Sequence, residues 1–139
     1  MRITNCSSVI TRPVFFRNRP RGAPADSYQM IIMEPVIIDT GASTTLISRE
    51  LQQLLSLEVT ATSEVAYANS SEERCDKCII HMEFGDGTGI DYLEVLIQEK
   101  RFIAPNGNSY NCLLGMDVLG KGILVYDGRI QEALHKHIE

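Results

Sequence analysis

Tryptophan is absent, no glycine lies between Gly41 and Gly85, and no apolar run is long enough to span a bilayer. The last absence restricts most, because a transmembrane helix needs about 20 consecutive apolar residues. The strongest candidate, Met30 to Asp39, is interrupted by Glu34 and Pro35 and ends on an acid. A secretory signal is also missing at the start, where Met1 to Ser8 holds Asn5, Cys6 and two serines in place of an apolar segment. These absences predict a soluble, cytoplasmic protein with no membrane partner. A broad excess of positive charge is lacking too. Net charge is −5, and residues 1–30 carry five arginines against Asp26, a net of +4 that leaves −9 for the rest. So acidic a body repels phosphate over most of its surface, and no nucleic-acid partner is expected.

What remains is a globular composition, 44% apolar and 22% charged, over a length that supports one modest core but not two lobes. One domain is expected overall, with residues 1–27 as an N-terminal strand and basic loop and residues 28–139 as its body. Of the four cysteines, Cys75 and Cys78 are spaced like half of a zinc site. Tetrahedral zinc needs three or four ligands, and Cys6, Cys112, His81, His135 and His137 follow no finger-like spacing. A redox pair would need a helix N-terminus, whereas Ile79 to Phe84 reads as strand. Reduced cysteines and no metal or other cofactor are the expectation.

Strand signals dominate. Val9 to Phe16 is rich in β-branched and aromatic residues, with Pro13 suggesting an edge or a bulge, and Arg17 to Ser27 reads as loop. Tyr28 to Met33 and Val36 to Ile38 form two apolar runs divided by Glu34-Pro35. Leu51, Leu54 and Leu55 fit one side of a short helix over about 48–55. Leu57 to Tyr67 alternates imperfectly, and Ala68 to Lys77 is polar and turn-like. Cys78 to Phe84 and Ile90 to Ile97 flank the Gly85-Asp86-Gly87 turn as a hairpin. Pro105 to Asn111 is a turn-rich loop, Gly115 to Leu119 a helical turn, and Ile123 to Tyr126 a strand followed by an Asp127-Gly128 turn. Ile130 to Ile138 suits either a last strand or a short amphipathic helix. No strand–helix–strand rhythm occurs, so the fold class is all-β.

Val36-Ile37-Ile38-Asp39-Thr40-Gly41-Ala42-Ser43 carries the chemistry. The β-branched run anchors the chain in a core, Gly41 permits a tight turn, and small residues leave space beside the Asp39 carboxylate. Taken alone, the octapeptide serves equally well as a turn in which Asp39 accepts amide hydrogen bonds. With Thr44, the motif resembles the active-site motif of the retroviral-type (retropepsin-like) aspartic proteases. Leu113-Leu114-Gly115-Met116-Asp117-Val118-Leu119 is similar to their second hallmark, and Gly122 to Tyr126 to the strand that follows it. The likeness runs over roughly Tyr28 to Tyr126 and is nearest to the bacterial and cellular members.

The resemblance implies a small closed β-barrel with one short helix after the Leu-Leu-Gly motif, and an aspartic endopeptidase that needs no cofactor. Two carboxylates about 3 Å apart cannot both ionise, so they share one proton and divide the roles of base and acid. This chain has one Asp-Thr-Gly and no Asp-Ser-Gly, so the second carboxylate must come from an identical chain across a two-fold axis. The implied roles are catalytic for Asp39, Thr40 and Gly41, substrate-binding for Ala42, Ser43, Tyr67, Ala68 and Asn69, and structural for Leu113, Leu114 and Gly115. The implied partners are a second copy, held through Ile130 to Ile138 and the first strand, and an extended polypeptide. Viral members carry Asp and Arg where Ser43 and Met116 stand, so the ion pair they form is replaced here by another packing. The glycine-free flap leaves an alternative, a weak or inactive relative acting as a peptide-binding or dimerisation module. An unrelated small barrel in which Asp39 caps a turn is the third reading.

Overall fold

The computed structural model describes residues 9–24, 29–66, 72–127 and 132–139. Its elements are β1 (Thr11–Arg17), β2 (Ile31–Ile38), β3 (Leu46–Ser48), α1 (Arg49–Leu54), β4 (Val59–Ala66), β5 (Glu72–Glu83) and β6 (Gly89–Gln98). They continue with β7 (Phe102–Ile103), β8 (Ser109–Tyr110), β9 (Cys112–Leu114), α2 (Met116–Leu119), β10 (Gly122–Asp127) and β11 (Glu132–His137). The main sheet runs β1-β2-β9-β3-β6-β5-β4, and a further pairing of β1 with β5 closes it into a barrel. Strand β5 makes closure possible because it is long enough to change partners. Its first half pairs with β4 from Ala66↔Glu72 to Val59↔Cys78, and its last residues, His81 to Glu83, pair with Arg17 to Phe15 of β1.

Period-two burial fills the barrel. Val14 and Phe16 of β1, Val36 of β2, Ile80 and Met82 of β5 and Val95 of β6 are fully buried, and Leu51 and Leu55 close one end. Helix α1 starts at Ser48, whose backbone is extended and whose Oγ accepts from Leu51 N at 3.1 Å. The same hydroxyl donates to Asn111 Oδ1 at 2.7 Å, tying the cap to the segment that enters β9. A second apolar cluster lies outside the barrel, where Phe102, Ala104 and Tyr110 of the β7–β8 hairpin pack on Ile37, Leu46 and Leu113.

Two local readings of the sequence are corrected and one open choice is resolved. Glu34-Pro35 does not divide β2, which is continuous from Ile31 to Ile38. Ile38 N donates to Ile10 O, so alternation puts Pro13↔Pro35 at a non-hydrogen-bonded pair, where neither missing N–H is needed by the ladder. Glu34 is half-buried because it accepts from Asn111 Nδ2 at 3.2 Å. The segment read as turn-like up to Lys77 is strand from Glu72 onward, paired on both sides over Lys77 and Cys78 by β4 and β6. The choice left open at the C-terminus resolves to a strand, β11, paired with β10 from Gly122↔His137 to Asp127↔Glu132.

Cys75 and Cys78 are both buried in β5, and their odd separation turns them to opposite faces. Between them, Asp76 receives Arg49 at 2.7 Å and Lys77 reaches Glu94 at 3.2 Å. Burial pushes the Cys78 thiol up to about 11 and raises Cys112 further, so both are poor nucleophiles. Among the described residues no three His, Cys, Asp or Glu side chains gather as metal ligands, and no helix is long and apolar enough to cross a membrane.

Candidate active site

Asp39 sits where β2 ends, half-buried at the head of a loop that leads into β3. Strand β9 is inserted between the two strands this loop connects, parallel to β2 through Ile38↔Leu114 and antiparallel to β3 through Leu46↔Leu113. The inserted strand holds the head of the loop directly, since Asp39 N donates to Leu114 O at 3.0 Å. Within the loop, Gly41 N donates to Asp39 Oδ1 at 2.8 Å and Ala42 N to Asp39 O at 3.3 Å, a tight turn that fixes the carboxylate. Among the described residues Asp39 Oδ2 has no hydrogen-bond partner. One oxygen is therefore oriented and the other is open.

The far side of the loop is gripped by the start of α2. Met116 N donates to Ala42 O at 2.7 Å and Asp117 N to Ser43 O at 3.2 Å. Gly115 is required by contact rather than by backbone conformation: a Cβ there would lie 2.7 Å from Thr44 C, 2.8 Å from Thr44 O and 2.9 Å from Ala42 O. Leu114 is fully buried in the barrel, and Leu113 packs on the outer cluster. The structure thus brings Asp39, Thr40, Gly41, Ala42, Ser43, Leu113, Leu114 and Gly115 into one assembly. Thr40, Gly41 and Ser43 are exposed. Tyr67, Ala68 and Asn69 lie outside the described residues, although the β4–β5 hairpin that leads to them projects from the barrel.

Two residues missed in the sequence complete the site. Asp117 accepts from Thr45 N at 3.0 Å and from Thr45 Oγ1 at 2.7 Å, and the Thr45 hydroxyl accepts from Gly115 N at 3.1 Å. Thr45 is fully buried, so this charge-assisted clamp is shielded from water. It locks the loop to α2 at the place where Ser43 and Met116 lack an ion pair. The sequence signal was that very lack, with an unassigned acid one residue after Met116.

A cleft of about 500 Å³ opens beside Asp39, with Ile37, Leu113, Phe102, Ile103 and Pro105 supplying apolar walls. A second hollow of about 350 Å³ is lined by Thr44, Ser63, Glu64, Lys77, Glu94 and Leu96. An oriented carboxylate at the rim of an apolar cleft suits water activation next to an apolar side chain.

A sequence profile of the family described as aspartyl protease matches residues 34–118, more than half of the chain, and spans both the Asp39 loop and the Leu113–Val118 segment. The chain belongs to the aspartyl protease family. Among solved structures, this aspartyl protease family member is similar to a retropepsin-like aspartic protease from Rickettsia conorii, with a TM-score of 0.55 and 17% identity over 95% of this chain and 92% of that one. At that identity the likeness establishes the fold, which is retropepsin-like. A search of curated proteins finds no match.

Proposed function

We propose that the chain is half of an aspartic endopeptidase and that two copies bring their Asp39 carboxylates together across a two-fold axis. The observation that carries this reading is the Asp39 carboxylate itself, oriented through Oδ1 by Gly41 N and open at Oδ2, on a loop clamped by β9 and α2. In the dimer one Asp39 takes a proton from water as the water attacks the peptide carbonyl, while the other donates a proton to the carbonyl oxygen. Thr40 hydrogen-bonds across the axis behind the carboxylates, and Gly41 presents backbone groups to the peptide.

An extended polypeptide lies along the cleft as an added strand, with its side chains in the apolar hollow beside Asp39 and the more polar one lined by Thr44. Ala42 and Ser43 line its path, and substrate-binding roles are assigned by resemblance to Tyr67, Ala68 and Asn69, which lie outside the described residues. Strand β1 is engaged by both β2 and β5, so the partner contact falls to the terminal hairpin. Ile123, Val125 and Leu134 are 51%, 53% and 64% exposed there and share the outer face of the β10–β11 ribbon. Such an apolar face on a small protein suits burial against its own copy.

The test is cleavage of a diverse unfolded-peptide pool at several pH values by wild type and by Asp39→Asn. Wild type is expected to generate new peptides, and the variant to lose turnover while keeping its fold by circular dichroism. Identical peptide patterns from the two proteins would refute the assignment, and peptide binding without cleavage by wild type would favour a binding module.

A further inference from the structure

The terminal strand β11 is fastened to the barrel by an arrangement the protease reading does not use. His135 and His137 share the inner face of β11 and are only 9% and 3% exposed. Both pack on Phe84, with ring centroids 5.5 and 5.1 Å apart. Arg12 of β1 completes the joint. Its guanidinium lies 4.8 Å from the Phe84 ring centroid and donates to Phe84 O at 2.7 Å, His135 O at 3.1 Å and His135 Nδ1 at 2.9 Å.

That last bond fixes the chemistry of His135. Arginine has no acceptor, so Nδ1 must offer its lone pair and the ring proton must sit on Nε2. Among the described residues Nε2 is buried with no partner, as is Nδ1 of His137. A second proton on His135 has one place to go, Nδ1, where it would set two donors against each other at 2.9 Å beside a fixed positive charge. The same lone-pair count argues against a metal on Nε2, which already carries its proton.

We propose that Arg12, His135 and His137 form an acid-sensitive latch that releases β11 from the barrel as pH falls through the range where free imidazole ionises. The surrounding charges favour release at His135 and are divided at His137. His135 is faced by Arg12 from β1 and by its neighbour His137, and only Asp86 of the β5–β6 turn opposes them. His137 is faced by Lys121 ahead of β10 and Arg21 of the β1–β2 loop, with Glu139 and Asp86 opposing. Burial is the largest influence on both rings and holds both below the ordinary 6.5.

The sign follows from linkage. Docked β11 binds fewer protons than released β11, so docking is strongest above pH 6.5 and weakens as pH falls toward the depressed values of the docked rings. Each ring that ionises on release raises the released fraction by up to about tenfold per pH unit in that window. A second fastening fails lower down. Glu139 accepts from Gly89 N at 2.6 Å and pairs with Arg21 at 2.8 Å, and these partners hold its carboxyl below 4.5. It helps docking above 4.5 and is lost as pH falls below that value.

Release reaches the candidate site through contiguous contacts. Ile138 N donates to Lys121 O, and α2 packs on both β10 and β11 while its first residues grip the Asp39 loop. The latch itself does not rest on the protease reading, so its test needs no activity. Imidazole NMR titration and amide hydrogen exchange are recorded on the full chain from about pH 8 to pH 5. His135 and His137 are expected to titrate below 6.5, and exchange-competent opening of β11 amides to rise from pH 7 to pH 5, by up to about tenfold per pH unit for each ring below 6.5, while β9 amides stay protected. Midpoints at or above 6.5, or equal loss of protection in β9 and β11, would overturn the latch. His135→Gln with His137→Gln keeps neutral acceptors and is expected to leave β11 protection flat from pH 7 to 5. A variant that keeps the wild-type pH response also overturns it, and if the variant never docks, the wild-type midpoints decide.

Discussion

Thr45 and Asp117 show how a buried hydroxyl can carry more structure than its size suggests. The Thr45 Oγ1 donates to Asp117 and accepts from Gly115 N, so one atom joins the loop, the end of β9 and the start of α2. Thr45→Val keeps the shape but takes the acceptor from buried Gly115 N and one of three donors from Asp117, with an expected loss of about 1–3 kcal/mol by chemical denaturation. Thr45→Ser retains the hydroxyl and is expected to recover most of that stability. A Val variant as stable as wild type would mean that the clamp is not a significant support. At this scale the octapeptide around Asp39 read equally well as a capped turn, and only its combination with the Leu113–Leu119 motif singled the acid out. The sequence did not display the clamp, since Thr and Asp are commonplace and their meeting depends on β9 entering between β2 and β3.

Among the elements, the strands were legible where burial alternates and illegible where pairing decides. Pro35 looked like a break because a proline removes a donor, yet it sits opposite Pro13 at a register position that asks for none. Glu72 to Lys77 looked like a turn because it is charged, yet Arg49 takes Asp76, Glu94 takes Lys77, and β4 supplies the ladder. Both outcomes were set by the register of a partner strand. The helix that follows β3 was visible from its leucines, and its start rests on one hydroxyl. Ser48→Ala removes the cap on Leu51 N and the bond to buried Asn111, and is expected to cost about 1–2 kcal/mol in thermal or denaturant unfolding. An unchanged midpoint would show that α1 is held by Leu51 and Leu55 alone.

For the whole molecule, closure of the sheet explains why one short chain can hold a carboxylate so firmly. Strand β5 bridges the β4 hairpin and β1, α2 links the loop to the terminal ribbon, and Arg12 fastens that ribbon to the barrel. The all-β class and the closed barrel were legible from strand patterning and the two motifs together. The docking of β11 was not, because His135 and His137 follow no recognisable spacing and gain their partners only from Phe84 and Arg12, distant in sequence. Pairing two such molecules is the step on which the proposed chemistry depends, since each chain brings a single Asp39.

Mixed dimers test that step most directly. Wild-type chain and Asp39→Asn chain are co-refolded in varying ratios at constant total concentration, and peptide cleavage is measured at each ratio. If the working unit needs both Asp39 side chains, activity follows the square of the wild-type fraction and falls to about one quarter at an equal mixture. A straight-line decline, with half the activity remaining at that point, would show that each chain works alone and would contradict the shared dyad.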